Sequence, residues 1–165
     1  MPAFTPKPSV CQDARNDQTK PPTIDDTQVQ VLRDVVSSGD PYALERAVSL
    51  LGRNQYGNFS LRAADDTPLD PSALWMASDL VACDYGAACG PDNKWLLSSC
   101  AMRGQCAAGN VRDYMMYYAA SPNTSQLMAQ YETAIRNAAT NGDWSFFRFH
   151  PGPAPSTAIY QSPPP

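Results

Sequence analysis

The sequence predicts an all-α protein, a bundle or short array of about six helices arranged as antiparallel hairpins. Apolar residues recur three and four positions apart in successive segments, which is the helical period. Only short loops separate most of these segments, and short loops favour antiparallel neighbours. A side-chain acceptor followed by proline, typical of helix starts, occurs three times. These starts are Asp40-Pro41, Asp70-Pro71 and Ser121-Pro122.

Each predicted helix has its own apolar pattern. The segments 71–84 and 92–103 are apolar on wide faces, and the other four carry narrower stripes. Four glycines fall where a helix end needs a left-handed residue: Gly39, Gly52, Gly104 and Gly142. The stripes contain Val29, Leu32, Val35 and Val36, then Leu44, Ala47, Val48 and Leu51, then Val111, Tyr114, Met115 and Tyr118, and finally Leu127, Tyr131, Ala134, Ile135 and Ala138.

The longest predicted connection is the polar loop over residues 53–69. Residues 59–61 are its one candidate strand. No second run of the sequence alternates cleanly enough to pair with them, so we expect no sheet.

Length and proline placement indicate one domain with two extended ends. The chain has 165 residues, and its 16 prolines are concentrated near the termini. Because proline fixes φ and lacks an amide donor, we expect a proline-rich arm over 1–23 and a proline-rich tail over 151–165. Each end is either a linker or a strap lying on the helical domain, 24–150.

Composition excludes several classes of partner. The chain is 43% hydrophobic, enough for one core, and its net charge is -4. An acidic balance argues against nucleic acid and anionic membrane surfaces. No run reaches the roughly 18 to 20 apolar residues that a membrane span requires.

Four of the five cysteines form two evenly spaced pairs. Cys83 and Cys89 flank one predicted turn, and Cys100 and Cys106 flank the next. The helix between them carries Cys100 roughly 12 Å from Cys89, whereas a disulfide needs Cα atoms within about 7 Å. The geometry therefore predicts disulfides Cys83–Cys89 and Cys100–Cys106, each contributing on the order of 2 kcal/mol.

Two other states of these thiols stay open, a zinc site and free thiols in a cytosolic scaffold. The five-residue spacing without a neighbouring histidine is atypical of zinc motifs, so we predict no metal and no cofactor. Disulfides would require an oxidising compartment, which predicts a periplasmic or secreted protein. Cys11, in the proline-rich arm, would then be free or form an intermolecular contact.

Few residues could carry catalysis. The nucleophile, phosphate-binding and zinc-protease motifs G-x-S-x-G, G-x-x-x-x-G-K-[ST] and H-E-x-x-H are absent. The remaining alternative is a small cell-wall hydrolase that uses carboxylates of the loop from Asp65 to Asp70. Its candidate catalytic residues are Asp65, Asp66 and His150, while Asp70 is accounted for as a helix cap.

Aromatic residues favour binding over catalysis. The run from Tyr114 to Tyr118 covers more than one helix face, so part of it should reach the surface. Tyrosine and methionine are enriched in protein interfaces, although core packing also explains such a stripe. A second aromatic run follows Gly142. The candidate binding residues are Tyr114, Tyr117, Tyr118, Trp144 and Phe147.

The cysteine segments also carry a family resemblance. Four segments carry it: the run from Ala82 to Gly90, Trp95-Leu96-Leu97 leading to Cys100, Gly104-Gln105-Cys106, and Gly142-Asp143-Trp144. These segments resemble uncharacterised secreted helical proteins of proteobacteria. The resemblance covers roughly the C-terminal half; it implies a helical fold and an oxidising compartment, but no activity. From the scarcity of catalytic residues and the aromatic runs, we expect a non-enzymatic domain that binds a protein or peptide as an inhibitor or adaptor.

Overall fold

The computed structural model describes residues 26–53 and 59–151, which form six helices and two short strands. The arm 1–23, Cys11 and the tail beyond Pro151 lie outside the described residues. The short helix Val111–Tyr114 continues directly into a π-helical turn, Met115–Ala119. In chain order the elements are α1 Asp26–Ser37, α2 Pro41–Arg53, β1 Phe59–Ala63, α3 Pro71–Asp84, α4 Lys94–Arg103, α5 Val111–Tyr114, α6 Pro122–Asn141 and β2 Phe147–Pro151.

The three predicted proline starts are confirmed, each with its cap. Asp40 Oδ1 accepts from the amide of Tyr42 at 2.9 Å. Asp70 Oδ1 accepts from the amide of Ala73 at 2.8 Å. Ser121 Oγ accepts from the amide of Thr124 at 3.2 Å, so each cap satisfies an amide that has no partner inside the helix.

Three of the four glycines that were predicted to follow a helix end do so. Gly39, Gly104 and Gly142 have positive φ values of 76°, 68° and 66°. The prediction for Gly52 is wrong, since α2 continues through it to Arg53. Among the helices of the described residues, none combines the length and apolar character needed to cross a bilayer.

Helix α3 lies at the centre of the core and packs against both α2 and α6. It is buried around most of its circumference, as its wide apolar face predicts. Leu44 of α2, Leu74 of α3 and Ile135 of α6 are all essentially inaccessible to solvent. Truncating a side chain at such a site to alanine typically costs about 2–5 kcal/mol.

The prediction of an all-α fold is wrong in one respect, because a two-stranded antiparallel sheet is present. β1 pairs with β2, with Leu61 opposite Phe149 and Ser60 opposite His150. The candidate strand thus exists, and its partner is the aromatic run after Gly142. That run lacks clean alternation, and its pairing depends on a segment far away in the chain. Pro151, predicted as the first residue of the tail, ends β2.

Both predicted disulfides are confirmed. Cys83–Cys89 has a Cα–Cα distance of 5.7 Å and Cys100–Cys106 one of 4.4 Å. The zinc alternative does not hold, since each of these sulfurs is bonded to another sulfur. The two bonds differ in surroundings. Cys83 and Cys89 pack against the core, whereas Cys106 is exposed.

We predict that removing the two disulfides has unequal effects on stability. Each closes a loop with the same sequence separation of 6, so the loop-closure contribution is equal, about 2 kcal/mol. C83A/C89A should cost about 1 kcal/mol more than C100A/C106A, because it also removes sulfurs packed against the core. Urea denaturation of the two double variants measures the difference. Equal losses would show that only loop closure matters.

Candidate functional site

Four aromatic rings form a continuous series that ends at an exposed tyrosine. Trp75 of α3 contacts Trp95 of α4, with ring centroids 5.5 Å apart. Trp95 contacts Tyr114 of α5 at 4.3 Å, and Tyr114 contacts Tyr118 at 5.5 Å. The Tyr114 hydroxyl also donates to Gln105 Oε1 at 2.8 Å. The rings therefore fix the chain around the π-helical turn against two longer helices.

The end of this series is an exposed surface that we call the tyrosine turn, Met116, Tyr117 and Tyr118. Their exposed fractions are 48%, 72% and 38%. The amide of Ala120 donates to the Met115 carbonyl at 2.8 Å, the wide hydrogen bond of a π-helical turn. Tyr117 and Tyr118 thus lie where the sequence predicts a contact surface. Tyr114 is only 3% exposed, so it can serve binding only by supporting them.

The second predicted binding cluster packs around the sheet. Trp144 is half-buried and Phe147 is buried, with ring centroids 6.2 Å apart. The Arg33 guanidinium lies 5.9 Å from the Trp144 ring and 5.6 Å from the Phe149 ring. Phe147 offers no exposed surface, because it packs into the core from the sheet. The cluster joins α1 to β2 through cation–π contacts.

The structure brings together two of the three candidate catalytic residues. His150 Nε2 lies 3.9 Å from Asp66 Oδ2, and Arg62 Nη1 lies nearer to the same oxygen, at 3.2 Å. Asp65 is separate. Its carboxylate accepts the amide of Thr67 at 3.0 Å, and this hydrogen bond lowers the pKa of Asp65. Asp65 is therefore unsuited to be a general acid, which needs a raised pKa.

Sequence reasoning missed two residues beside Asp66 and His150. Arg62 follows two positions after Ser60 on β1, and Ser60 is opposite His150 in the ladder. The Ser60 hydroxyl is buried and has no hydrogen-bond partner among residues 26–53 and 59–151, as is also true of His150 Nδ1. Ser60 is fully buried, so a substrate has no access to its hydroxyl. Only the strand pairing, which the sequence did not predict, could have placed these residues together.

A groove of about 540 Å³ lies between α2, α3 and the start of α4. Helical spacing puts Trp75 and Asp79 on one face of α3, and Cys89 of the first disulfide forms part of the wall. Glu45 of α2 is half-buried and lines this groove. We define the aromatic groove by Tyr42, Glu45, Trp75, Asp79, Asp92 and Trp95.

Glu132 of α6 holds α5, the short helix that leads into the tyrosine turn. It receives two hydrogen bonds from Arg112 of α5, at 3.1 and 2.7 Å, and one from Arg136 at 2.8 Å. Arg136 also bonds Asp84 at the end of α3. Burial would raise the pKa of Glu132, but the hydrogen bonds from Arg112 and Arg136 outweigh it and lower that pKa below its usual 4.5.

We predict that Glu132→Gln destabilises the protein by about 2 kcal/mol at pH 7. The loss is below the roughly 3–5 kcal/mol of a fully buried pair, because both arginines are nearly half exposed. A carboxylate with a lowered folded-state pKa stabilises above its unfolded value and loses that contribution as the pH falls through the folded value. Urea denaturation should therefore show the difference from the unmutated protein shrinking below about pH 4.5.

The control for this measurement is Glu45→Gln, which removes the other glutamate of the chain. Glu45 makes no ion pair with any residue in 26–53 or 59–151, so its stability change should stay within about 0.5 kcal/mol. A deficit in Glu132→Gln that is unchanged between pH 7 and pH 3 would contradict the assigned ion pairs.

The comparisons with known proteins add no assignment. No protein-family model, no curated protein and no solved structure matches this chain. The resemblance to secreted helical proteins of proteobacteria therefore stays a prediction. The features of the structure that bear on function are the tyrosine turn, the aromatic groove and the pair Asp66–His150.

Proposed function

We propose that this chain is a secreted or periplasmic helical domain that binds a protein or peptide partner, as an inhibitor or adaptor, without catalysing a reaction. The exposure of Tyr117 and Met116 on the tyrosine turn carries the proposal. Tyrosine and methionine are enriched at interfaces, and a hot spot needs a large side chain that a partner can desolvate. An inhibitor or adaptor requires such a surface and no reactive group.

Rigidity of the turn supports a binding role. Tyr114 is held between Trp95 and Tyr118, and Arg112 is held by two hydrogen bonds to Glu132. A tyrosine side chain has only two χ angles, so ordering it on binding costs little entropy. A surface whose backbone is already fixed keeps more of its contact energy as affinity.

The cysteines support an oxidising compartment. Two disulfides, each closing a short loop, are typical of proteins that fold in oxidising environments. We propose that the helices form antiparallel hairpins there, with Cys83–Cys89 and Cys100–Cys106 securing the turns. Glutathione-rich cytosol would keep such thiols reduced, which disfavours a cytosolic scaffold.

To test partner binding, the protein is immobilised and exposed to extract from the source organism. A captured protein is then purified, and its affinity for the immobilised protein is measured by titration. We predict that M116S/Y117S weakens this affinity at least tenfold, since hot-spot residues cost about 2 kcal/mol or more. Val31→Ser is the matched control, because Val31 is 57% exposed on α1, away from the turn in sequence. Equal weakening by both variants, or less than twofold by M116S/Y117S, would contradict the proposal.

A cell-wall hydrolase is the second candidate, favoured by the 3.9 Å separation of His150 and Asp66. A carboxylate beside a histidine is the arrangement of a general base and its orienting group. Three observations weigh against it: Arg62 pairs more closely with Asp66, Ser60 is inaccessible, and the pKa of Asp65 is lowered.

A hydrolase can be distinguished from a binding domain by an activity assay. Purified protein would release soluble fragments from peptidoglycan, and His150→Gln would reduce that rate at least a hundredfold, as loss of a general base does. We expect no such release, from either protein. Release that depends on His150 would replace the binding proposal with the hydrolase.

A further inference from the structure

We infer that the aromatic groove binds an organic cation, and that its occupant is the ammonium group of a lysine side chain presented by the partner protein. The identity of the carrier rests on the proposed function, whereas the cation preference rests on the groove alone. The groove and the tyrosine turn are joined through Trp95 and Tyr114, whose ring centroids lie 4.3 Å apart.

The charges of the groove favour a cation. Glu45, Asp79 and Asp92 contribute three carboxylates, and Lys94 is the one basic residue among the described side chains that line the groove. Lys94 is exposed and makes no ion pair within the described part of the chain. The groove therefore keeps a negative potential, which attracts and orients positive groups.

Two of these carboxylates, Glu45 and Asp92, differ from others in the protein. Glu132, Asp84 and Asp66 each lie within 4 Å of an arginine nitrogen. Glu45 and Asp92 make neither a hydrogen bond nor an ion pair with any residue of 26–53 and 59–151. Two carboxylates left unpaired in a concave site are available to a ligand.

The rings of the groove suit the same ligand. Trp75 and Trp95 are half-buried, meet at an interplanar angle of 80° and come from different helices. Tryptophan is the best aromatic partner for a cation, and the attraction grows as the site is desolvated. Tyr42 adds a third ring that is 62% exposed. Rings with nearby carboxylates are the combination that recognises ammonium groups.

The size of the groove is compatible with one side chain. Its volume of about 540 Å³ falls within the roughly 300–1,000 Å³ range of small-molecule sites. A sugar could also lie on the tryptophan rings, but a neutral ligand would leave Glu45 and Asp92 unpaired. Charge complementarity therefore favours the cation over the sugar.

The test titrates the full chain with choline, with Nα-acetyl-lysine methylamide and with 3,3-dimethylbutan-1-ol, the uncharged analogue of choline. The indole N–H signals of Trp75 and Trp95 report binding by NMR. Trp144 is the internal control, because it is the remaining tryptophan and does not line the groove. Methyl glucoside tests the sugar, and all titrations are run at one ionic strength.

We expect both cations to shift the signals of Trp75 and Trp95 while the uncharged analogue and the glucoside do not. Glu45→Gln should weaken cation binding about fivefold, the effect of one partly exposed ion pair. Asp26→Asn is the matched control: Asp26 is exposed at the start of α1, does not line the groove, and its variant should stay within twofold.

Three results would overturn the inference: equal binding of choline and its uncharged analogue, equal weakening by Glu45→Gln and Asp26→Asn, or shifts from the glucoside alone. The two proposals fail separately. Cation binding together with an unaltered partner affinity in M116S/Y117S would reject only the tyrosine turn as the partner surface. Partner binding that requires Tyr117, without any response to either cation, would reject only the cation site.

Discussion

Three helices are joined at Glu132, and the position of the candidate binding surface depends on this joint. Glu132 of α6 accepts hydrogen bonds from Arg112 of α5 and from Arg136. Arg136 also donates a hydrogen bond to Asp84 of α3 and so connects the two carboxylates. A partly buried ion pair adds little net stability compared with an apolar contact, but removing one partner leaves the other charge without its pair at some cost. The network therefore acts mainly on geometry. It favours the arrangement in which α5, and with it the tyrosine turn, lies against α6.

The disulfide loop makes the second connection at the same place. Cys83 directly precedes Asp84, and the carbonyl of Cys89 accepts a hydrogen bond from the amide of Val111 at 3.0 Å. Covalent bond, backbone hydrogen bond and ion pairs thus fix the start of α5 from two sides. Because Cys89 also forms part of the aromatic groove, the same connection shapes the groove and orients the turn. A small core can then present a rigid surface, which lowers the entropy lost on binding.

The helix caps and the disulfides were predicted correctly because each depends on interactions between residues close together in the chain. A cap acts over three residues, as at Asp70 and Ala73, and a disulfide across one turn is decided by the length of the adjacent helix. The sheet was missed for the opposite reason. β2 contains Phe147, Arg148, Phe149 and His150, whose pattern alone reads as an aromatic cluster, and only its pairing with β1 makes it a strand. Strand formation depends more on tertiary context than helix formation does.

By itself, the sequence determined the helices, their capped starts and the two cystine links, because each follows from neighbours within one or two helical turns. It also indicated that part of the run from Tyr114 to Tyr118 reaches solvent, without showing which part. Only the tertiary structure decided that Tyr117 is exposed and Tyr114 buried, and that Glu45 faces two tryptophan-bearing helices. It alone brought His150 to Asp66. These placements depend on how distant segments pack, and burial and charge pairing are properties of the packed chain rather than of any one segment.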